Sequence, residues 1–476
     1  MKKISRQTKI IATIGPATES EEMLAKLINE GVDVIRLNMA HADHDWIRKI
    51  SKRIRSVGQE LNREPAIMMD VKGPEIRTGY LHEELEIKKD DLLDLVFIAQ
   101  PNPPTADGIW QIEVNYDKLS EHLKEGDTVM VDNGLIQLEV LDSSAERIRC
   151  QVQQDSILKS RRHVNLPGIE TGLPSLTEKD RRDSLVGIEC MHDYFALSFT
   201  RDADSVDLFR SFLRDNGSDA QIIAKLEDHK GVNNLQEIIQ SADALMVARG
   251  DLGIECAFED LPIIQRKAVG ACLAAGKPVI VATHMLESMI ESPVPTRAEI
   301  SDVANAVNEG ADCIMLSGET TTGKYPIECV KMLTRIASRM EEEIQPGLTK
   351  ELKLFRPKAK MLRSAAMLAM RLDNAAVLVF TRSGDLAAKL GALRPNGAPL
   401  FAFTDVKGLH RRLRLIWGIE PFLMNFYQDP ELTIQSAIKR LKEGDWIKEG
   451  DQLVTVTNAF AHSKIVESIQ IREVEF

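Results

Sequence analysis

The stretch Gln221-Ile222-Ile223-Ala224-Lys225-Leu226-Glu227 is an apolar strand that ends in charged residues. Residues two apart on a strand point the same way, so Lys225 and Glu227 share one face. A second apolar strand, Ala244–Ala248, leads directly into Arg249-Gly250-Asp251. Two carboxylates and one ammonium at neighbouring strand ends favour a site for a hard metal ion beside an anionic substrate. A structural Lys–Glu ion pair explains the first segment equally well, so the surrounding architecture has to decide.

An alternation of apolar strands and amphipathic helices continues through most of the first 345 residues. Stretches with helical periodicity, such as Glu21–Asn29, Leu261–Ala275 and Thr296–Asn308, separate the apolar runs. Near-continuous apolar strands are typical of a parallel sheet that is covered by helices. Eight of them predict a (β/α)₈ TIM barrel, with a doubly wound open sheet as the weaker alternative. The predicted strands are Lys9–Gly15, Val32–Met39, Ala66–Asp70, Asp193–Phe199, Gln221–Glu227, Ala244–Ala248, Pro278–Thr283 and Asp312–Ser317.

The third and fourth strands are separated by about 120 residues, far more than an ordinary connection. This interval alternates in hydrophobicity and contains turn signals such as Asp132-Asn133-Gly134, which predicts an inserted all-β domain, a small β-barrel. The alternation of barrel strands and helices stops near residue 345, where we expect a separate α/β domain with an open sheet to begin. We therefore expect barrel residues 1–74, an inserted domain at 75–166, barrel residues 167–345 and a C-terminal domain at 346–476. The predicted C-terminal elements are a helix at Lys360–Arg371 and strands at Ala375–Thr381, Leu400–Phe403, Gln452–Thr457 and Ile469–Val474.

Composition excludes several functional classes. The chain has 476 residues and a net charge of −12 without a long basic block, which argues against binding to nucleic acid. Its six cysteines show no Cys-x-x-Cys spacing and fit buried thiols in a reducing compartment. The charged N-terminus has no apolar signal core, and no run approaches the ~18–20 apolar residues of a membrane span. We expect a cytoplasmic protein without a membrane partner.

Polar side chains follow almost every predicted barrel strand, at the end where TIM barrels carry their active sites. This placement favours Glu227 and Asp251 as ligands of Mg²⁺ or Mn²⁺, which prefer oxygen donors. Positive charge from arginine and lysine suits phosphate and the transition state of phosphoryl transfer. Of two later pairs, Arg297 and Glu299 fit an ordinary ion pair as well as an active-site contact, whereas Ser317 and Glu319 are better explained as hydrogen-bonded structure than as ligands. Arg77, in the inserted segment, adds further positive charge. The other polar residues at the strand ends are Arg36, Asn38, Asp70, Lys72, Ser198, Lys225, Arg249 and Thr283.

Several motifs, in this order and spacing, resemble the pyruvate kinase family over nearly the whole chain. They are Lys9–Thr18, Arg36–Asn38, Asp70–Gly79, Lys225–Glu227, Val247–Gly253, Ala282–Met289, Pro295–Glu299 and Met315–Thr320. The resemblance implies transfer of the phosphoryl group of phosphoenolpyruvate to ADP, which gives pyruvate and ATP in the last step of glycolysis. It also implies a homotetramer, and closure of the inserted domain over the barrel to exclude water.

The resemblance further implies a role for each matching residue. Lys225, Thr283 and Arg36 would be catalytic, with Lys225 at the transferring phosphoryl group and the enolate oxygen. Phosphoenolpyruvate would contact Arg36, Lys225, Arg249, Gly250, Asp251 and Thr283, while ADP would contact Pro16, Asn38, His41 and Arg77. Mg²⁺ or Mn²⁺ would bind Glu227 and Asp251, and K⁺ would bind Asn38, Asp70 and the Val71 carbonyl. His41 is equally consistent with a local packing role.

Three departures from the family pattern carry expectations. Ala40 replaces the serine whose hydroxyl normally helps to bind K⁺, whereas Glu75 retains the acidic residue of K⁺-dependent members, so we expect weaker K⁺ activation. His284 replaces the usual glutamine after Thr283, and both side chains can form hydrogen bonds. Asp385 places a negative charge in the loop that binds a sugar phosphate in effector-activated members. The glycine-rich terminal loop of those members is also missing, so we expect no activation by fructose 1,6-bisphosphate.

Two other functions remain open from the sequence. A barrel lyase could stabilise a pyruvate enolate on a similar Glu/Asp metal pair, but it leaves the inserted domain and Arg77 unexplained. A catalytically inactive homologue could bind metabolites as a regulator, although Lys225, Glu227, Asp251 and Thr283 are all present.

Overall fold

The computed structural model describes residues 6–97, 108–343, 349–461 and 464–475. The described strands are β1 Lys9–Thr13, β2 Val34–Asn38, β3 Ala66–Asp70, β4 Ile76–Arg77, β5 Leu85–Ile87, β6 Leu92–Val96, β7 Trp110–Glu113, β8 Thr128–Val131, β9 Ile136–Ser143, β10 Arg147–Val152, β11 Ser156–Leu158, β12 His163–Asn165, β13 Tyr194–Leu197, β14 Gln221–Leu226, β15 Ala244–Ala248, β16 Val279–Ala282, β17 Cys313–Leu316, β18 Ala375–Phe380, β19 Leu400–Thr404, β20 Ile419–Leu423, β21 Gln452–Ala461 and β22 Lys464–Glu473.

The α-helices belong mostly to the barrel and the C-terminal domain, but α3 (Leu119–His122) lies in the inserted domain. They are α1 Glu21–Asn29, α2 His44–Glu60, α3 Leu119–His122, α4 Glu178–Glu189, α5 Ala203–Asp215, α6 His229–Asn233, α7 Leu235–Ser241, α8 Arg249–Glu255, α9 Leu261–Ala275, α10 Arg297–Glu309, α11 Gly318–Thr321, α12 Pro326–Glu343, α13 Pro357–Ala369, α14 Asp385–Ala392, α15 Lys407–Arg412 and α16 Pro430–Glu443. Among the helices that the structure describes, none combines the length and the apolar character needed to cross a bilayer.

The predicted TIM barrel is confirmed. Eight parallel strands close in the order β1-β17-β16-β15-β14-β13-β3-β2, which rules out the open doubly wound sheet. The barrel interior holds an apolar layer that includes Met68, Ala196 and Met246. A residue from the C-terminal domain, Leu415, joins this layer and is fully buried. Leu415 therefore closes the end of the barrel at which the strands begin. The polar residues that follow the strands lie at the opposite end, which is open.

The inserted domain is the predicted small barrel in the form of a curled mixed sheet. Its seven strands follow the order β4-β12-β8-β9-β10-β6-β7, and β5 pairs with β11 in a separate ribbon. The two edge strands meet at a bridge between Thr78 and Val114, so the sheet curls back on itself. The boundaries at residues 74/75 and 166/167 stay predictions, and the boundary at 345/346 lies outside the described residues.

The C-terminal domain is an open five-stranded sheet in the order β20-β19-β18-β21-β22, as expected for an α/β domain. Strand β20 was not predicted, because Pro421 interrupts its pattern. Proline is tolerated there because β20 is an edge strand. The final hairpin is longer than predicted, and β21 continues through Asn458 and Ala459 where effector-activated relatives would have a glycine-rich loop. Residues 462–463 of that segment lie outside the described residues.

Candidate active site

Lys225 is the centre of a buried polar cluster at the open end of the barrel. Its Nζ donates to Ser198 Oγ at 2.8 Å and lies 3.1 Å from Asp70 Oδ1 and 2.7 Å from Glu227 Oε1. These three partners come from the ends of three adjacent strands, β3, β13 and β14. Burial alone would lower the pKa of Lys225, but Asp70 and Glu227 raise it above its usual value. The ammonium is thus held charged and fixed in direction.

Glu227 follows β14 and is 1% exposed. Its second carboxylate oxygen, Oε2, accepts a 2.6 Å hydrogen bond from the backbone N–H of Phe199. Burial and the nearby Asp251 carboxylate raise the pKa of Glu227 to about 7, although Lys225 opposes this rise. The anionic form of Glu227 is therefore disfavoured by its surroundings in the protein alone.

Asp70 connects the lysine to the Arg36 guanidinium. Arg36 Nε donates to Asp70 Oδ2 at 2.7 Å, and another Arg36 nitrogen donates to Thr13 Oγ1 at 3.0 Å. Burial would raise the pKa of Asp70, yet Lys225 and Arg36 hold it below its usual value. Asp70 is consequently an anion that orients two cations towards the same space.

The Thr283 loop faces this cluster from the end of β16. The backbone N–H of Gly250 donates to Thr283 Oγ1 at 2.8 Å, and the hydroxyl itself donates to the Ala282 carbonyl at 2.6 Å. Thr283 has a φ of 69°, which is an outlier for a β-branched residue and marks a conformation imposed by the surrounding structure. The next residue, His284, is exposed and lies 3.3 Å from Glu287.

Arg249 has a structural role that its sequence position did not reveal. Its guanidinium forms an ion pair with Asp302 at 2.7 Å and donates to the Thr283 carbonyl at 2.6 Å. The side chain therefore braces the loop, while the backbone of Gly250 and Asp251 faces the site. A cavity of about 630 Å³ beside Asp251 is also lined by Asn133 of the inserted domain, which shows that this domain lies over the barrel end.

Arg77 provides positive charge from the inserted domain. Its Nε donates to Glu75 Oε2 at 2.6 Å, and Lys72 lies 2.9 Å from the same oxygen. Burial would raise the pKa of Glu75, but the bonds from Arg77 and Lys72 hold it below its usual value. His163 lies opposite Arg77 on the adjacent strand. Burial lowers the pKa of His163, whereas the charges of Glu75 and Asp251 act in the opposite direction.

The residues predicted for the nucleotide and the monovalent cation lie around β2. Pro16 and His41 are exposed, and Asn38 is half-buried with its Oδ1 accepting from the Ala40 N–H at 3.0 Å. The Val71 carbonyl accepts a 2.7 Å hydrogen bond from Ser198 Oγ. The oxygens of Asn38, Asp70 and the Val71 carbonyl are ligands of the type that K⁺ prefers. Ala40 contributes no side-chain oxygen to this set.

Two residues of the site had no role assigned to them from the sequence. Ser198 bridges Lys225 and the Val71 carbonyl, and its position at a strand end was the only signal for it. Phe199, whose N–H holds Glu227, carried no signal because the contact uses the backbone.

The glutamates of the two later pairs, Glu299 and Glu319, have structural contacts. Glu319 is buried and accepts from the Leu286 and Ser317 backbone N–H groups. Glu299 caps α10 by bonding Thr296 and also accepts from Ser288. Among the described residues, an Arg297–Glu299 ion pair is not formed.

Glu227 and Asp251 fit a divalent cation of the magnesium class. Mg²⁺ is usually bound by one or two carboxylates, with substrate oxygens and water completing the octahedron. The described residues contain no cluster of three or more His, Cys, Asp or Glu side chains suited to a metal, so a closed zinc-like site is not formed there. The raised pKa of Glu227 also indicates negative charge that a cation would stabilise.

Comparisons with known proteins agree with this architecture. Residues 5–330 match the family model "Pyruvate kinase, barrel domain", and residues 359–469 match "Pyruvate kinase, alpha/beta domain". Plastidial pyruvate kinase 2 of Arabidopsis thaliana is 37% identical over 480 residues, which cover 99% of this chain and 82% of that protein. Pyruvate kinase of Geobacillus stearothermophilus is 40% identical over 463 residues, which cover 95% and 78%.

A solved structure is similar in fold as well. A pyruvate kinase from Cryptosporidium parvum superposes with a TM-score of 0.91 and 32% sequence identity, covering 98% of this chain and 96% of that one. Similarity at this level, over both domain models and nearly the full length, shows that the chain belongs to the pyruvate kinase family.

Proposed function

We propose that Lys225, Glu227, Asp251 and Thr283 form the centre at which this chain transfers the phosphoryl group of phosphoenolpyruvate to ADP. The transfer, which gives pyruvate and ATP, is the reaction of the family to which the chain belongs. The residue assignment rests on one observation: Lys225 Nζ lies 2.7 Å from Glu227 Oε1 at the open end of the barrel, and two further oxygens fix its direction.

Lys225 would stabilise the charge that develops during transfer. Negative charge accumulates on the phosphoryl oxygens and on the enolate oxygen as the bond between phosphorus and the enolate oxygen breaks and a β-phosphate oxygen of ADP bonds to the phosphorus. A preorganised cation is most effective when its orientation costs nothing at the moment of reaction, and Lys225 already has its partners in place. Arg36, which Asp70 holds beside it, would bind the phosphate.

Glu227 and Asp251 would hold Mg²⁺ or Mn²⁺. When bound, the ion supplies charge neutralisation and orientation of the substrate oxygens. Thr283 and the backbone of Arg249-Gly250-Asp251 would lie beside the substrate carboxylate, which the bonds between Gly250, Thr283 and Arg249 support.

ADP would lie between the barrel and the inserted domain, near Pro16, Asn38, His41 and Arg77. Closure of the inserted domain would exclude water, so that ADP and not water accepts the phosphoryl group. The cavity that Asn133 shares with Asp251 supports this position of the domain.

K⁺ would bind Asn38, Asp70 and the Val71 carbonyl, more weakly than in relatives that have a serine at the position of Ala40. We further propose a homotetramer in the cytoplasm. The family resemblance supports the assembly, and light scattering coupled to gel filtration tests it. The six free cysteines support a reducing compartment.

A coupled assay of pyruvate formation tests the assignment. Lys225→Met keeps an unbranched side chain of similar length but removes the charge, and we expect kcat to fall by ~10²–10³-fold, the range found when a principal electrostatic group is removed. Lys324→Met, at a lysine that is 64% exposed on the surface, is the matched control and should keep the wild-type rate.

The same assay separates the alternatives. A wild-type chain that forms no pyruvate from phosphoenolpyruvate and ADP would contradict the proposal and favour the inactive homologue. Pyruvate formation that persists in Lys225→Met would contradict the role of this lysine. ADP-independent cleavage of a substrate would favour the lyase.

A further inference from the structure

Phe199 is held in an unusual conformation directly beside the metal-ligand candidate. Its φ is 50°, in the left-handed region that phenylalanine seldom adopts. This backbone conformation directs the N–H towards Glu227 Oε2, at 2.6 Å, and turns the ring towards the inserted domain. An outlier of this kind persists only where the surrounding structure imposes it.

Both links between the barrel and the inserted domain pack against Phe199. On the outgoing link, a Cβ placed on Gly73 would lie 3.3 Å from Phe199 Cδ2, so the backbone passes close to the ring. On the returning strand, the His163 ring meets the Phe199 ring edge to face, with 6.2 Å between their centroids. One aromatic side chain thus contacts the entry and the exit of the inserted domain.

We propose that Phe199 is a positioning residue that couples the seating of the inserted domain to the placement of the Glu227 carboxylate. The inference rests on the proposed role of Glu227 in metal binding. When the inserted domain is closed over the barrel, contacts with Gly73 and His163 hold the Phe199 ring in one position. The backbone N–H of Phe199 then fixes the Glu227 carboxylate. When the domain lifts, the ring is free to shift and the carboxylate loses a short hydrogen bond.

The adjacent residue extends this coupling to the catalytic lysine. Ser198 precedes Phe199, accepts from Lys225 Nζ and donates to the Val71 carbonyl. A Cβ on Gly73 would also approach Ser198 Cβ to 2.8 Å, so the outgoing link constrains both residues. Displacements of about 1 Å at reacting groups can reduce rates ~10²-fold. The contacts that position Ser198 and Phe199 are therefore expected to affect the rate.

Phe199→Leu and Phe199→Tyr test the inference. Leucine removes the ring and keeps an apolar side chain, whereas tyrosine keeps the ring, which lines a cavity of about 470 Å³. Mn²⁺ affinity without substrate, measured by electron paramagnetic resonance, should weaken about tenfold in Phe199→Leu. Phe199→Tyr should restore it to within about twofold. Hydrogen exchange should also speed up across β4–β12 of the inserted domain in Phe199→Leu.

Phe212→Leu is the matched control, because Phe212 lies on α5 and packs on Phe209 away from the site. It should lower the melting temperature while leaving Mn²⁺ affinity and exchange of the inserted domain unchanged. A folded Phe199→Leu protein with wild-type Mn²⁺ affinity and wild-type exchange would overturn the inference.

Two further variants remove the remaining ambiguities. If Phe199→Leu fails to fold, His163→Ala takes its place, with faster exchange in the inserted domain and about threefold weaker Mn²⁺ binding expected; no change in either would overturn the inference. Glu227→Gln separates this inference from the proposed function: unchanged Mn²⁺ affinity in that variant would refute the metal role of Glu227 itself.

Discussion

Replacing Asp70 by asparagine should uncouple two buried cations from the carboxylate that orients them. Asp70 is 2% exposed and lies 2.7 Å from Arg36 and 3.1 Å from Lys225. The substitution keeps the shape of the side chain and one acceptor oxygen but removes the charge. We expect a loss of unfolding free energy together with a fall in kcat, because both cations lose the group that fixes their direction.

The size of each effect follows from what remains in the site. Removing one partner of a buried ion pair costs about 3–5 kcal/mol, and we expect about 3 kcal/mol here because Lys225 keeps Glu227 as a counter-charge. The turnover number should fall about 100-fold, as expected when reacting groups are displaced. Urea titration followed by circular dichroism gives the first quantity, and the coupled pyruvate assay gives the second.

Asp312→Asn is the matched control for Asp70→Asn. Asp312 is also buried and pairs with Arg394 at 2.9 Å, but it precedes β17 at the opposite end of the barrel. Its variant should lose comparable stability and keep the wild-type kcat. If Asp70→Asn unfolds within about 1 kcal/mol of wild type and turns over within about twofold of it, Asp70 does not orient these cations.

Three further expectations concern K⁺, effectors and pH. K⁺ should accelerate the reaction relative to tetramethylammonium, and Ala40→Ser should lower the K⁺ concentration for half-maximal rate severalfold; equal rates in the two cations would refute this. Fructose 1,6-bisphosphate should leave the saturation curve for phosphoenolpyruvate unchanged, because Asp405 already binds Arg382 with two contacts of 2.6 and 2.9 Å; a strong leftward shift would contradict it. Burial lowers the pKa of His192 to about 3 and of His410 to about 4, so below about pH 6.5 the unfolded chain binds protons that the folded chain does not. Urea titrations at pH 7.5 and pH 5 should therefore show about 2 kcal/mol less stability per histidine at pH 5, and asparagine at both positions should flatten the dependence; an equally steep loss in that double variant would contradict it.

The barrel was predictable because each strand buries both faces and so leaves a continuous apolar run. Ala66–Asp70 and Ala244–Ala248 were predicted with the observed bounds. Other strands end one or two residues earlier than predicted, and two of these ends have a physical cause. Phe199 and Thr283 adopt positive φ values of 50° and 69°, which turn the chain out of the ladder although the strands before them, Tyr194–Leu197 and Val279–Ala282, are apolar. Hydrophobic pattern does not report such backbone turns.

Contacts between distant segments were outside the reach of the sequence pattern. Leu415 directly follows the short basic stretch Arg411–Arg414, yet it plugs the barrel core. Arg249 stood beside the predicted metal ligand, but its side chain turns away to Asp302. In each case a single long-range partner decides where the side chain lies, and local periodicity carries no information about that partner.

The charge balance of the site connects these contacts to the chemistry. At the barrel strand ends, three carboxylates, Asp70, Glu227 and Asp251, face two cations, Arg36 and Lys225, so this group of five side chains carries one excess negative charge. Asp70 pairs with both cations, so Lys225 compensates Glu227 only in part, and burial together with the nearby Asp251 carboxylate raises the pKa of Glu227. An anionic substrate would be repelled by the Glu227–Asp251 pair, whereas a divalent cation on it would reverse the sign of the local charge. With such a cation bound, Glu227 would compensate less of the positive charge of Lys225. Lys225 would then be able to stabilise the negative charge that develops in the transition state.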